Sequence, residues 1–195
     1  MLFLPDYPLR TDRLLLRPFI RGDVDAVHAY RSREDVARYL LDGPLSREEC
    51  ALAVQHRTSE VALRADGDRI VLAVDLARND TLIGEISLIL RNEAAGQAEL
   101  GWIFDPQHHG HGYATEAAAA MLDLAFHEGG IHRVYARCDV RNAPSWRLMQ
   151  RLGMRREAHF REHMRLKGDW DEEFYYAILE REWREAPMAR RSGLS

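Results

Sequence analysis

The stretch 98–117, AELGWIFDPQHHGHGYATEA, decides how this chain folds. It opens with period-two alternation from Ala98 to Phe104, placing Leu100, Trp102 and Phe104 on one side of a strand and Glu99, Gly101 and Ile103 on the other. A loop from Asp105 to His111 follows. Then comes an alanine-rich helix whose stripe is Ala114, Ala118, Met121, Leu122 and Ala125, stopped by Gly129-Gly130. Gly110 and Gly112 stand between strand and helix, so backbone N–H groups can converge at the positive end of a helix dipole. Such a geometry wants an anion, most often a phosphate or pyrophosphate. Thr115 stands where a GxGxxG fingerprint needs its last glycine, and no GK[ST] of a P-loop is present. Taken alone, the loop reads equally as a turn that starts a helix.

Upstream, Arg13–Phe19 is a short apolar strand ended by Pro18 and Gly22. Asp23 offers an N-cap for a helix through Val27 and Tyr30, with a second piece from Glu34 to Leu41. Ser46 and Glu49 have capping-box spacing and begin a helix expected to end near Asp66-Gly67-Asp68. Ile70–Leu76 and Leu82–Leu90 form a hairpin through Arg78-Asn79-Asp80. Downstream, His132–Cys138 is a strand, Ala143–Leu152 a short helix, and Met154–His163 with Glu172–Leu179 a closing hairpin across Lys167-Gly168-Asp169. This order is α+β around one central sheet, read as one domain over 1–185, with a polar tail, 186–195, expected to fray.

The chain has 195 residues, 46% hydrophobic and 30% charged, enough to build a core and solvate its surface. Its net charge of −4, without a basic run, lacks the footprint of a nucleic-acid binder. No apolar run reaches the length of a membrane span, and Pro5 and Asp6 interrupt the start before a signal sequence forms, so a cytoplasmic protein is expected. Cys50 and Cys138 suggest neither a disulfide framework nor a zinc ribbon. His108, His109 and His111 lack metal-ligand spacing, and no metal is expected.

Taken with Asn142-Ala143-Pro144-Ser145 and Leu152-Gly153-Met154, the Q-x-x-G-x-G-Y-A-T-E-A run resembles the GCN5-related N-acetyltransferase (GNAT) superfamily, in its RimJ/RimL-like branch. The likeness continues in Thr11-Asp12-Arg13-Leu14, Leu82-Ile83-Gly84-Glu85, Glu99-Leu100-Gly101-Trp102 and Glu180-Arg181-Glu182-Trp183, and so spans nearly the whole chain. It implies a mixed, mostly antiparallel sheet of about six to seven strands with flanking helices, whose fourth and fifth strands splay apart to admit acetyl-CoA. It further implies that the backbone of Trp102, Ile103 and Phe104 pairs with the pantetheine arm. The N–H groups of Gln107, His108, His109, Gly110, His111 and Gly112 would hold the pyrophosphate, where Tyr113, Ala114 and Thr115 open the helix. Asn142 would meet a pantetheine amide and Ser145 the departing thiolate; Asn142 also reads as the N-cap of the following helix.

The expected reaction is direct attack of a primary amine on the thioester in a ternary complex, the acceptor being a small molecule or a protein N-terminus. The amine must lose a proton before it attacks. Glu99 is the candidate base on the cleft strand, although the exposed state is the commoner one for a strand glutamate. The position where RimL-like relatives carry a glutamate is Met164 here; Glu162 and His163 adjoin it, and strand alternation lets at most one of them face the same way. That departure keeps open a non-catalytic acyl-CoA-binding module, and a succinyl-CoA-type donor or a generic nucleotide binder are further alternatives. Cys138 raises a ping-pong route that the family pattern disfavours. The acidic patch Asp169, Asp171, Glu172, Glu173 favours cationic acceptors, and Trp170 could border their pocket. A homodimer is the default assembly for such enzymes.

Overall fold

The computed structural model describes residues 3–185; the expected tail, 186–195, lies outside them. Strands β1 (Leu9–Arg10), β2 (Leu14–Pro18), β3 (Arg69–Leu76), β4 (Thr81–Asn92), β5 (Gln97–Phe104), β6 (Arg133–Asp139), β7 (Arg155–Leu166) and β8 (Asp169–Leu179) form one sheet in the order β1-β2-β3-β4-β5-β6-β8-β7. The two-residue β1 takes the strand number to eight. All pairings are antiparallel except β5 with β6.

Helices cover both faces. On one lie α1 (Val24–Arg31), the single-turn α2 (Glu34–Ala37) and α3 (Arg47–Arg57); on the other lie α4 (Tyr113–Asp123) and α5 (Ala143–Arg151). Period-two alternation sorts the strand side chains between them. Ile86, Leu88 and Leu90 bury against the α4 face, while Val71, Ala73 and Phe19 pack with Val27, Tyr30 and Val54 of α1 and α3. Each such fully buried aliphatic side chain contributes roughly 1.5–3 kcal/mol. A last short helix, α6 (Glu180–Arg184), buries Trp183, whose indole N–H donates to Asp123.

Three elements are shorter than their sequence patterns suggest. The Ser46 capping box forms as expected, but α3 stops at Arg57, because the Thr58 and Ser59 hydroxyls bond the Gln55 and His56 carbonyls and close the last turn. The segment α2 ends at Ala37 rather than Leu41, leaving 38–45 as a strap. The regular part of α4 ends at Asp123 and gives way to a π turn, Leu124–Glu128, closed by the Gly129 N–H on the Leu124 carbonyl.

What positions the site is the single parallel pairing. Strands β5 and β6 pair only over Gln97↔Arg133, Ala98↔Val134 and Glu99↔Tyr135. Beyond that, β5 stays bonded to β4 as far as Gly84↔Phe104, and β6 stays bonded to β8 as far as Asp139↔Glu173. Each strand is held on its outer side, so the inner edges part and Leu100–Phe104 present open backbone to a wedge-shaped cleft. The cleft expected between the fourth and fifth strands therefore lies between β5 and β6, because β1 shifts the count.

Candidate active site

Two connected chambers occupy the cleft. The first, of about 790 Å3, runs along the open edge of β5 to the glycine loop. Gly110 and Gly112 take φ of +80° and +79°, the left-handed region that a Cβ would strain. The first i→i−4 bond of α4 runs from the Glu116 N–H to the Gly112 carbonyl, so the N–H groups just before it belong to the turn that a helix leaves without intrahelical partners.

The loop is anchored from below. The Glu116 carboxylate, 1% exposed, accepts the Thr11 hydroxyl at 2.6 Å, the Arg13 backbone N–H at 2.9 Å and Arg13 Nε at 2.6 Å. Arg13 in turn donates through Nη1 to the His111 carbonyl at 2.9 Å and lies over the Tyr113 ring. The Thr11-Asp12-Arg13 stretch and the YATEA helix start are thus two halves of one clamp.

Of the residues expected at the donor site, Trp102, Ile103, Phe104, His108, His109, Gly110, Gly112, Tyr113, Ala114, Thr115, Asn142 and Ser145 line this chamber. Gln107 and His111 do not. The Gln107 N–H caps the turn on Asp105 Oδ1, and the His111 ring stacks on Tyr113. Arg141 and Arg151, unnoticed in the sequence, add two guanidinium groups to the wall, and Arg151 also donates to the Thr115 hydroxyl at 3.2 and 3.3 Å. No local pattern marks either arginine; only the approach of α5 to α4 brings Arg151 there.

The second chamber, of about 280 Å3, lies deeper in the split. Its charge is reversed: Glu85, Glu99, Asp139, Asp171 and Glu173 line it, with Arg137 the cation among them. The strap closes one side through Tyr39, Leu40 and Leu41, and the β7–β8 hairpin supplies Met164 and Leu166. Lys167 Nζ in the hairpin turn donates to the Ala37 carbonyl at the end of α2 at 2.6 Å, and the Tyr39 hydroxyl of the strap donates to the Arg141 carbonyl in the β6–α5 loop at 3.3 Å. Trp170 is 53% exposed beneath Arg165 and lies outside the chamber lining.

The chambers share Tyr39, Leu40, Trp102, Ile103, Asn142 and Ser145. At this junction Asn142 caps α5, its Oδ1 accepting the Ser145 N–H at 3.4 Å. The capping role and the place at the cleft mouth coexist, because the N-terminal turn of α5 forms the junction wall.

Glu99 reaches the second chamber, on the face opposite Trp102 as expected. Its Oε1 accepts Arg137 Nε at 3.1 Å; its Oε2 accepts Arg91 at 2.7 Å and the Tyr135 hydroxyl at 3.1 Å. Cys138 also lines the chamber; burial, then the nearby Asp139 and Glu173 charges, pushes its thiol up to about 12.

The β7–β8 hairpin departs from simple alternation. A bulge between Arg161 and Arg165, with Glu162 at φ +51°, sets Glu162–Met164 against Asp171 alone. Met164 therefore lines the chamber and donates its N–H to Asp171 Oδ1 at 3.1 Å, while His163 also turns to Asp171 and Glu173.

Residues 13–155 match the acetyltransferase (GNAT) domain family. A Bacillus subtilis protein described as an uncharacterized N-acetyltransferase, YnaD, is 37% identical over 90% of this chain and 98% of its own length. The crystal structure of a GNAT-family acetyltransferase from Bacillus anthracis superposes with a TM-score of 0.81 at 34% identity, over 90% of this chain and all of that one. Spermidine N-acetyltransferase from Vibrio cholerae, solved with CoA and spermine, shares the fold at a TM-score of 0.75 and 24% identity, over 88% of this chain and 98% of its own. With a sheet parted between β5 and β6 and a glycine loop opening α4, the chain belongs to the GNAT family of acetyltransferases.

Proposed function

We propose that this chain, acting as one catalytic unit over 1–185, transfers an acetyl group from acetyl-CoA to the primary amine of a small cationic acceptor. The observation that carries the reading is the reversal of charge between two chambers that meet at Ser145. The donor side offers Arg151, His108 and His109 to phosphates, with Arg141 at its edge held by Asp139, whereas the acceptor side offers an excess of carboxylates to an ammonium. The V. cholerae relative, which carries a polyamine name, is consistent with that choice of acceptor.

In this scheme the pyrophosphate rests on the N–H groups opening α4, and the pantetheine arm pairs with the edge of β5 at Trp102–Phe104. The amine enters from the acidic chamber and attacks the thioester carbon at the junction. A backbone N–H beside Ile103 stabilises the oxyanion, and the Ser145 hydroxyl donates to the departing thiolate. The high thiol pKa of Cys138 argues for this direct route over an acetyl-cysteine intermediate. We further place the chain in the RimJ/RimL-like branch, as a cytoplasmic homodimer that engages neither nucleic acid nor membrane; among the described residues no helix is long and apolar enough to cross one.

Thermal melting with acetyl-CoA, CoA, succinyl-CoA, ATP and NAD tests the donor. A ligand at about 100 times its Kd adds about 2.7 kcal/mol, so CoA thioesters should shift the melt and ATP and NAD should not. A panel of polyamines, amino acids and peptides then tests the acceptor. Acetylation of neutral or anionic amines in preference to polyamines would overturn the cationic assignment, and CoA binding without turnover on any amine would favour a binding module.

A further inference from the structure

The carboxylates of the acceptor chamber differ in what they touch. Glu85 holds the Tyr30 hydroxyl at 2.8 Å and Arg57 at 2.7 Å, Glu99 is bound by Arg91 and Arg137, and Asp139 takes Arg141 Nε and Nη2 at 2.9 and 2.6 Å. Each has its oxygens taken up by guanidinium groups or a hydroxyl and faces no imidazole. Glu173 differs. Arg137 Nη1 donates to both of its oxygens, at 3.3 and 3.2 Å, and its Oε2 in addition lies 3.3 Å from His163 Nε2. The other ring nitrogen, Nδ1, lies 3.3 Å from Oδ1 of Asp171, whose side chain is 4% exposed.

We propose that Glu173 and His163 form the proton exit of this site, with Glu173 as the catalytic residue and His163 and Asp171 as positioning residues behind it; the proposal rests on the acetyltransferase reading above. The acceptor ammonium loses its proton to the Glu173 carboxylate, and that proton passes on to the lone pair of His163 Nε2. The Asp171 carboxylate, 3.3 Å from Nδ1, favours the tautomer with its proton on Nδ1, which leaves the lone pair on Nε2. The amine keeps its lone pair for the thioester carbon, and the imidazolium, at a side chain 29% exposed, releases the proton to solvent. Imidazole as a class titrates near neutrality, whereas a lone carboxylate near pH 4 would return the proton to the amine.

Strand pairing alone does not set this up. The bulge at Glu162 turns His163 toward β8 and leaves Met164 as an apolar wall at the position where RimL-like relatives carry a glutamate. The groups facing the ring are Asp171 and Glu173 from β8 and the Phe160 ring from its own strand at 5.2 Å; Arg137 from β6 with Glu99 from β5 lie behind Glu173, and Tyr175 lies against Phe160. His163, Asp171 and Glu173 gather within 4.8 Å, as metal ligands do, but each ring nitrogen faces a different carboxylate and Arg137 already sits on Glu173.

Two measurements on the full chain test this. In the first, kcat/KM for the best amine of the panel is followed from pH 6 to 10 in wild type, His163→Gln and Asp171→Asn. We expect a loss of about 100-fold at pH 7 in H163Q, in the range of general-base effects. The loss should shrink toward pH 9.5, where the amine deprotonates unaided, with KM for acetyl-CoA unchanged. A loss equal at all pH values, or no loss, overturns the proposal. D171N should show the same convergence if H163Q folds poorly, as judged by its CoA-induced melting shift. In the second, the His163 resonances of the wild-type protein are titrated by NMR with CoA, with and without spermidine as probe. Docking of the ammonium on Glu173 should move the titration midpoint down by about one pH unit; an unmoved midpoint overturns the proposal even if no amine is turned over. Failure of the acetyltransferase reading is distinguished by loss of the CoA shift itself.

Discussion

Replacing Glu116 by alanine probes the anchor of the glycine loop. The carboxylate is 1% exposed and accepts the Thr11 hydroxyl, the Arg13 N–H and the Arg13 guanidinium. Breaking a buried ion pair from one side costs about 3–5 kcal/mol. Arg13 is 39% exposed and can turn to water, which reduces that figure. The Thr11 hydroxyl and the Arg13 N–H lose an acceptor at about 1 kcal/mol each, and removal of an anion from the first turn of α4 forfeits about 0.3–1 kcal/mol of helix-dipole interaction. A net loss of about 3 kcal/mol follows, which at about 2–4 °C per kcal/mol for a domain of this size lowers Tm by about 6–12 °C. Glu116→Gln keeps the shape and one acceptor oxygen and should lose about half as much. Because Arg13 also holds the His111 carbonyl, E116A should weaken acetyl-CoA binding in parallel, read by calorimetric melting with and without ligand. An E116A protein melting within about 2 °C of wild type with an undiminished acetyl-CoA shift would refute the clamp.

Cys138→Ala should retain full turnover, and mass spectrometry of the enzyme incubated with acetyl-CoA should find no acetyl group on the thiol, which burial keeps protonated with its pKa at about 12; a trapped acetyl-Cys138 would contradict direct transfer. Ser145→Ala should lower kcat by about 10–100-fold with KM for acetyl-CoA little changed, as for loss of one transition-state hydrogen bond, and stopped-flow monitoring of thiol release would reveal the split. Glu157 between Arg133 and Arg155 has its carboxyl held below the usual range, first by the Arg133 hydrogen bond and also by Arg155, against the burial that raises it. Its stabilisation is therefore fully present above the ordinary glutamate pKa of about 4.3 and is lost as pH falls through the depressed native value. Denaturant titrations of Glu157→Gln from pH 7 to 3 should show a shallower acid limb than wild type.

The order of the elements was readable because strands that face a helix on one side alternate with period two, as Ala98–Phe104 does, and because capping pairs such as Ser46 and Glu49 act over a few residues. The glycine loop was readable for the same reason: Gly110 and Gly112 lie between a strand and a helix, and the positive φ they adopt is a local demand. Patterns of that range mark where an element begins better than where it ends. The helix opened by Ser46 was expected to run toward Asp66, but hydroxyls at Thr58 and Ser59 took over the last carbonyls. The lengths of α2 and α4 were likewise set by packing and turn geometry.

The amino-acid sequence by itself determined the order of the elements and the glycine loop between β5 and α4, since each rests on interactions between residues near in the chain. Only the tertiary structure decided the charge of the two chambers and the fate of each carboxylate. Glu99 met Arg91 and Arg137, from β4 and β6; Arg151 reached the first chamber because α5 packs on α4; and a one-sided bulge turned His163 toward Asp171 and Glu173. Charges act through space with a strength set by distance and burial, and neither is written in sequence spacing.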